Sequence, residues 1–253
     1  MKTNPLLEIC CGSADDAIES WHGGAKRVEL CSSLFLGGLT PTLGTLLEVK
    51  EKTGIQVAVM VRPRQGGFCY SETDFAVALR DAALFARQGA DALVTGFLSA
   101  DGRVDLARTK AFVEVAEGLP VCFHRAIDLV PDWREALDVL AEAGVTRVLS
   151  SGQALSAWEG RDTLKQMIDY AAGRLVIMPG GGIRAHNIGD LLAFTGATEV
   201  HSGGVSDTVY DHSNAHNPSL RFGDVQSPAE NTYRQVNREK VRDLVDALTV
   251  SEK

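Results

Sequence analysis

Four segments of this chain repeat one arrangement: the end of a helical pattern, a glycine, and a strand-like apolar run that starts three to five residues later. They are Gly24-Ala25-Lys26-Arg27-Val28, Gly89-Ala90-Asp91-Ala92-Leu93, Gly144-Val145-Thr146-Arg147-Val148 and Gly196-Ala197-Thr198-Glu199-Val200. Glycine here supplies the left-handed residue that ends a helix. The small apolar residue after it lays the chain onto a sheet. Four further apolar runs, 6–10, 57–61, 121–124 and 175–178, alternate with these, so eight strands are expected. Helical patterns separate them. Ser13 with Asp16 marks a helix start, with Asp in place of the usual Glu. Phe75, Ala78, Leu79, Ala82, Ala83 and Phe85 follow helical spacing, as do Ala136, Leu137, Val139 and Leu140. Eight strand–helix alternations in 253 residues predict an α/β protein, a single (β/α)8 TIM-type barrel. A doubly wound open sheet is the alternative, but equivalent modules sit more naturally around one axis. Residues 203–235, rich in Ser, Asn, Asp and His, are expected to form a long loop, and 237–249 a closing helix.

Hydrophobic residues make up 45% of the chain, enough for a sizeable core, and the formal net charge is −8. An acidic balance argues against a nucleic-acid partner. No apolar run reaches the roughly 18 residues that span a bilayer, and residues 1–13 lack the apolar stretch of a secretory signal. The expectation is a cytoplasmic protein with no membrane partner. Cys10, Cys11, Cys31, Cys69 and Cys122 are an odd set, which argues for reduced thiols over a disulfide framework. The chain has no Cys-x-x-Cys pair, no Gly-rich dinucleotide fingerprint and no P-loop.

The chemistry gathers at the expected strand ends, where barrel active sites lie. Glu8-Ile9-Cys10 reappears as Glu29-Leu30-Cys31. Residues i and i+2 of a strand share a face, so each strand presents a carboxylate and a thiol on one side. Neighbouring strands would bring two Glu and two Cys together. Other strands end in Arg62-Pro63-Arg64, Thr95-Gly96, Phe123-His124-Arg125, Ser150-Ser151-Gly152, Gly180-Gly181-Gly182 and His201-Ser202-Gly203-Gly204. Glu8, Glu29, Arg62, His124 and His201 are therefore expected to line one catalytic pocket. The fork of Arg62 would hold an anionic or carbonyl oxygen, and His124 would move a proton with a Glu in the opposite role. Two carboxylates buried close together should leave one with a raised pKa. Backbone amides of Gly180, Gly181 and Gly182 would add ligand donors. Plainer uses remain open: Glu8 and Glu29 as ion-pair partners of arginine, Cys10 and Cys31 as small core residues, and the glycines as turn geometry. No Lys stands at a strand end, which argues against Schiff-base chemistry.

These motifs, with Gly37-Gly38-Leu39-Thr40-Pro41, Phe68-Cys69-Tyr70, Phe123-His124-Arg125-Ala126 and Val200-His201-Ser202, resemble the signature of the CutC copper homeostasis family from about residue 6 to residue 205. The resemblance implies a cytosolic TIM-type barrel, a homodimer or higher homo-oligomer, and a role in copper handling, with Cys10 and Cys31 as the implied copper ligands. Soft thiolates favour Cu(I). The chain departs from the family pattern after Arg64, where Gln65-Gly66-Gly67-Phe68 replaces Gly-Gly-Asp-Phe and removes one candidate carboxylate. The Glu, Arg and His groups, hard or cationic, ask for a ligand other than Cu(I). Two functions are therefore expected in parallel: a copper homeostasis protein that binds Cu(I) through barrel cysteines, or an acid–base enzyme or sensor acting on a small anionic or polyhydroxylated metabolite.

Overall fold

Strands that are buried on both faces must separate two environments by residue parity. In β1 (Leu6–Cys11), Leu7, Ile9 and Cys11 face the helices, while Glu8 and Cys10 face the other way. The computed structural model describes residues 5–213, 215–217, 219–220, 222 and 230–250. β1 is followed by α1 (Ala14–His22), β2 (Arg27–Leu30), α2 (Leu43–Lys52), β3 (Gln56–Met60), α3 (Glu72–Arg87), β4 (Ala92–Thr95), α4 (Leu106–Val115), β5 (Val121–Phe123), α5 (Trp133–Ala143), β6 (Arg147–Ser150), α6 (Arg161–Ala171), β7 (Val176–Pro179), α7 (Ala185–Thr195) and β8 (Glu199–Ser202). The strands form one eight-stranded parallel sheet in the order β7-β6-β5-β4-β3-β2-β1-β8. A parallel bridge from Gly180 to His201 joins β7 to β8 and closes it into a barrel.

The glycine modules behave as their sequence implies. Gly24, Gly89, Gly144 and Gly196 all adopt positive φ, between 74° and 98°. Ser13 accepts from the Asp16 backbone N–H at the start of α1, and Ser71 with Asp74 forms a complete capping box on α3. The outer core lies between sheet and helices and includes Ile9, Val28, Leu30, Val59, Leu93, Phe123, Val148 and Val200. Each such fully buried side chain contributes roughly 1.5–3 kcal/mol. The inner core lies inside the barrel: Cys31, Ala58, Met60, Ala92, Val94, Cys122, Leu149 and Met178, with Cys10 at its edge.

The stretch expected as a loop over 203–235 is partly ordered as sheet. β9 (Ser206–Tyr210) pairs antiparallel with β10 (Thr232–Val236). Polar composition pointed to loop, yet alternating Thr, Val and Tyr residues are compatible with a two-stranded ribbon that needs no buried face. Residues 214, 218, 221 and 223–229 lie outside the described part. The ribbon is tied to the barrel where the Val236 N–H donates to Asp16 Oδ1 at 2.7 Å. α8 (Arg238–Val250) follows and packs against α7 and α1. Among the described residues, no helix is long and apolar enough to cross a membrane.

Candidate functional site

The parallel register of β1 sets the first wall of the site. Glu8 lies opposite Arg27 and His201, and Cys10 lies opposite Glu29. Glu8 accepts from Arg27 Nε at 2.5 Å, and its other oxygen lies 2.9 Å from His201 Nδ1. Arg27 also donates to Glu199 at 2.5 Å, and Glu199 is held in turn by Arg147. An ionic chain thus runs across the barrel floor and ends at His201. Sequence reasoning missed Arg27, Arg147 and Glu199, although a signal existed. Each is the fourth residue of a glycine module, and strand parity puts Arg27 on the same inner face as Glu29.

Above this floor, Cys10 Sγ and Cys31 Sγ lie 3.5 Å and 3.6 Å from Glu29 Oε2. The two sulfurs and a Glu29 oxygen all fall within 4.8 Å of one another. His201 Nε2 is 3.9 Å from Glu29 Oε2. Burial and the neighbouring Cys10 and Glu8 charges outweigh the pull of His201 and raise the Glu29 carboxyl to about 8. Burial also acts to raise Glu8, but the His201 hydrogen bond and the Arg27 charge outweigh it and hold Glu8 at about 2. One of the two carboxyls is therefore protonated near neutrality and the other is not. The Cys31 hydrogen bond, helped by His201, lowers the Cys10 thiol to about 5 against the effect of burial. Burial acts to lower His201, but the charge of Glu29 and the bonds to Cys10 and Glu8 raise it well above the ordinary value.

A second wall comes from the ends of β3, next to β2 in the sheet, and β5. Arg62 follows β3, and its guanidinium donates to the carbonyls of Leu36, Gly38 and Gly66 at 2.9–3.0 Å. It thereby pins two mouth loops, and few of its donors remain for a ligand. His124 follows β5 and accepts from the Ala126 N–H at Nδ1, 3.2 Å away. A neutral ring in that arrangement carries its proton on Nε2. Burial, then the nearby Arg62 charge, pushes His124 down to about 3. The proton-moving role expected of His124 does not suit this state, which makes it a neutral donor at ordinary pH. Gly96 explains how the ring fits: a Cβ there would stand 2.3 Å from His124 Cε1. Phe68 packs on both groups, 4.6 Å from the His124 ring centroid and 5.2 Å from Arg62 Cζ.

Between the walls lies a cavity of about 310 Å³. Glu29, Arg62, His124, His201 and Cys10 line it, as do Gly181 and Gly182. Glu8 is not on the lining; it lies behind His201 and supports it. Gly180 is also off the lining, with its α-carbon side against Leu149 and His201. Cys31 stands behind Glu29 and Cys10. Sequence reasoning left Arg125, Arg184 and Phe68 out of the site, although all three line the cavity. Strand-end position alone could have flagged Arg125, whereas Arg184 sits past the β7 turn, where no strand parity applies. Among the described residues, three buried side-chain polar atoms lack a hydrogen-bond partner: Glu29 Oε1, Arg62 Nε and His124 Nε2. All three belong to residues of this one lining.

A closed parallel barrel with a polar cavity at the carboxyl ends of its strands places the chain in the class of TIM-type barrel proteins with a mouth site. Within that class the relationship is specific. The family model described as CutC family matches residues 5–206. The family protein CutC of Treponema denticola is 44% identical over 245 residues, covering 97% of this chain and 99% of that protein. The copper homeostasis protein cutC homolog of Homo sapiens is 41% identical over 239 residues, covering 94% and 87%. A crystal structure of a protein described as copper homeostasis protein CutC, from Streptococcus agalactiae, superposes with a TM-score of 0.75 at 33% identity, covering 78% of this chain and 98% of that one. The chain belongs to the CutC family, the copper homeostasis family.

Proposed function

We propose that this protein binds Cu(I) through Cys10 and Cys31 as a cytoplasmic, homo-oligomeric copper homeostasis protein. The observation that carries this reading is the cluster of two sulfurs and the Glu29 carboxylate within 4.8 Å. Two metal–sulfur bonds of about 2.3 Å span about 4.6 Å, so both thiols can reach one ion with little movement. Cys10 ionises readily, its thiol lowered to about 5, and thiolate is the form that binds a soft ion. Met60 lines the same cavity and offers a thioether of similar softness. Relatives named for copper homeostasis point the same way. A reducing compartment would keep the thiols available.

A second reading is favoured by the three unpartnered polar atoms, which Cu(I) does not satisfy. It is an acid–base enzyme or sensor for a small anionic or polyhydroxylated metabolite. In that reading Glu29, with its carboxyl at about 8, gives up or takes the proton. His201 and Glu8 orient Glu29, Arg62 and His124 hold a substrate oxygen, and Gly181 and Gly182 add backbone donors. One experiment separates the readings. The protein and a Cys10→Ser/Cys31→Ser double variant are purified anaerobically and assayed for Cu(I) against a chelator of known affinity, with native mass spectrometry for retained small molecules. Loss of Cu(I) binding in the variant supports the copper site. Unchanged Cu(I) binding overturns it, and a retained organic anion moves the assignment to the second reading.

A further inference from the structure

We propose that the Arg62–His124 wall is a carboxylate-binding site, and that the cavity takes a small hydroxycarboxylate with its hydroxyl on Glu29. This inference rests on the small-molecule reading and narrows it to one class of ligand.

Three observations lead there. First, Arg62 is a buried cation, 6% exposed, with no carboxylate within ion-pair distance among the described residues. Its three filled donor contacts all go to neutral backbone carbonyls, and its Nε–H points to no acceptor. A buried charge without a counter-charge is costly, and a single negative group beside it removes that cost. Second, His124 is 5% exposed and leaves Nε2 unpartnered. The Ala126 N–H occupies Nδ1, so the free nitrogen is the one bearing hydrogen. Phe68 lies on both Arg62 and His124, so the two donors share one small region of the lining. One unbalanced positive charge with two single donors matches a carboxylate, which carries one negative charge and two acceptor oxygens.

Third, Glu29 Oε1 is unpartnered on the lining of the same cavity, and Glu29 is 4% exposed. A hydroxyl can donate or accept, so it pairs with Glu29 whether or not that carboxyl holds a proton. A cavity of about 310 Å³ is at the small end of ligand sites. It suits a compact acid of a few carbons. Arg184 also lines the cavity, with no ion pair among the described residues, whereas Arg125 is paired with Asp128; Arg184 favours entry of an anion into a protein of net charge −8.

The test uses the intact protein in thermal-shift and calorimetric titrations with D-glycerate, L-lactate and L-malate. Propionate serves as the acid without a hydroxyl, glycerol 3-phosphate as the phosphate ester, and erythritol as the neutral polyol. At least one hydroxycarboxylate should stabilise the protein, and propionate should bind more weakly than lactate. His124→Asn keeps an acceptor for the Ala126 N–H but removes the Nε2–H, and should weaken the best acid by roughly tenfold. Should that variant fold poorly, the ¹⁵N spectrum of the wild-type imidazoles gives the same answer: the His124 Nε2–H resonance should move on adding the acid. Binding of glycerol 3-phosphate or erythritol with all acids inert would overturn the carboxylate assignment and leave the small-molecule reading standing. Indifference to every compound, with an unmoved His124 resonance, would remove both.

Discussion

Arg27 and Arg62 are the two buried arginines among the described residues, 4% and 6% exposed, one at the start of β2 and the other just past the end of the neighbouring β3. Arg27 is locked between Glu8 and Glu199, and that pair extends to Arg147 and His201. Arg62 touches carbonyls and an aromatic ring and keeps its Nε without a partner. The β1–β2–β8 floor answers its own charges and needs nothing from outside to fold. The β3–β5 wall carries a positive charge that the chain does not answer, beside a histidine kept neutral. Charge balanced inside the protein serves structure, and charge left unbalanced at a cavity serves a ligand. The barrel mouth divides along that line.

The hardest test of the contrast is to remove each arginine in turn. Arg27→Met takes the shared cation from buried Glu8 and half-buried Glu199, leaving them only His201 and Arg147, and should lower unfolding stability by roughly 3 kcal/mol in urea titrations. Arg62→Met strands no carboxylate and should cost clearly less. Equal losses would mean that Arg62 is as much a structural ion as Arg27.

A smaller effect separates the walls by pH. His124 is held near 3, below its ordinary 6.5, and Glu8 near 2, below its ordinary 4.5. In both cases the unfolded chain binds the proton more readily, so both contribute stability that is lost on acidification. The windows differ: His124 acts from about pH 6.5 down to 3, and Glu8 only from about 4.5 down to 2. Between pH 5 and 6.5 Cys10 and Glu29 oppose each other, because the thiol is lowered to about 5 and the carboxyl raised to about 8. The slope there should belong to His124, at about 1.4 kcal/mol per pH unit and roughly 2 kcal/mol in all. Comparing unfolding of the wild type and His124→Asn across that range should show the slope flatten in the variant. An unchanged slope would place the acid sensitivity on the floor instead.

The smallest effect in energy concerns a single thiol. An ordinary thiol is about 1% ionised at pH 6.5, whereas Cys10 is lowered to about 5. Iodoacetamide at pH 6.5 should therefore modify half-buried Cys10 faster than exposed Cys69, as read by peptide mass spectrometry. Cys69 reacting first would show that exposure outweighs the influence of His201 and Cys31.

Much of this was legible in the residues alone. Glycine spacing and alternating apolar runs specify a barrel, because helix ends and strand parity are local properties of a few neighbouring residues. The duplicated Glu-x-Cys pattern places carboxylate and thiol on one face for the same reason. The expected strand ends also carried Glu29, Arg62, His124 and His201, and all four meet in one cavity. Local pattern could not tell that Glu8 lies behind His201 instead of on the lining, since the two strands are 193 residues apart in the chain. Nor could it tell that Arg62 would clamp the loops around Leu36 and Gly66, or that His124 would be neutral. The ribbon formed by β9 and β10 escaped for a related reason: its pairing lies between distant segments whose composition is that of a loop.

The amino-acid sequence by itself determined the eightfold barrel, the family, and which chemical groups stand near the mouth. Only the tertiary structure decided their charge states and partners. Protonation depends on burial and on charges a few ångströms away, and those neighbours come from strands that meet only when the barrel closes.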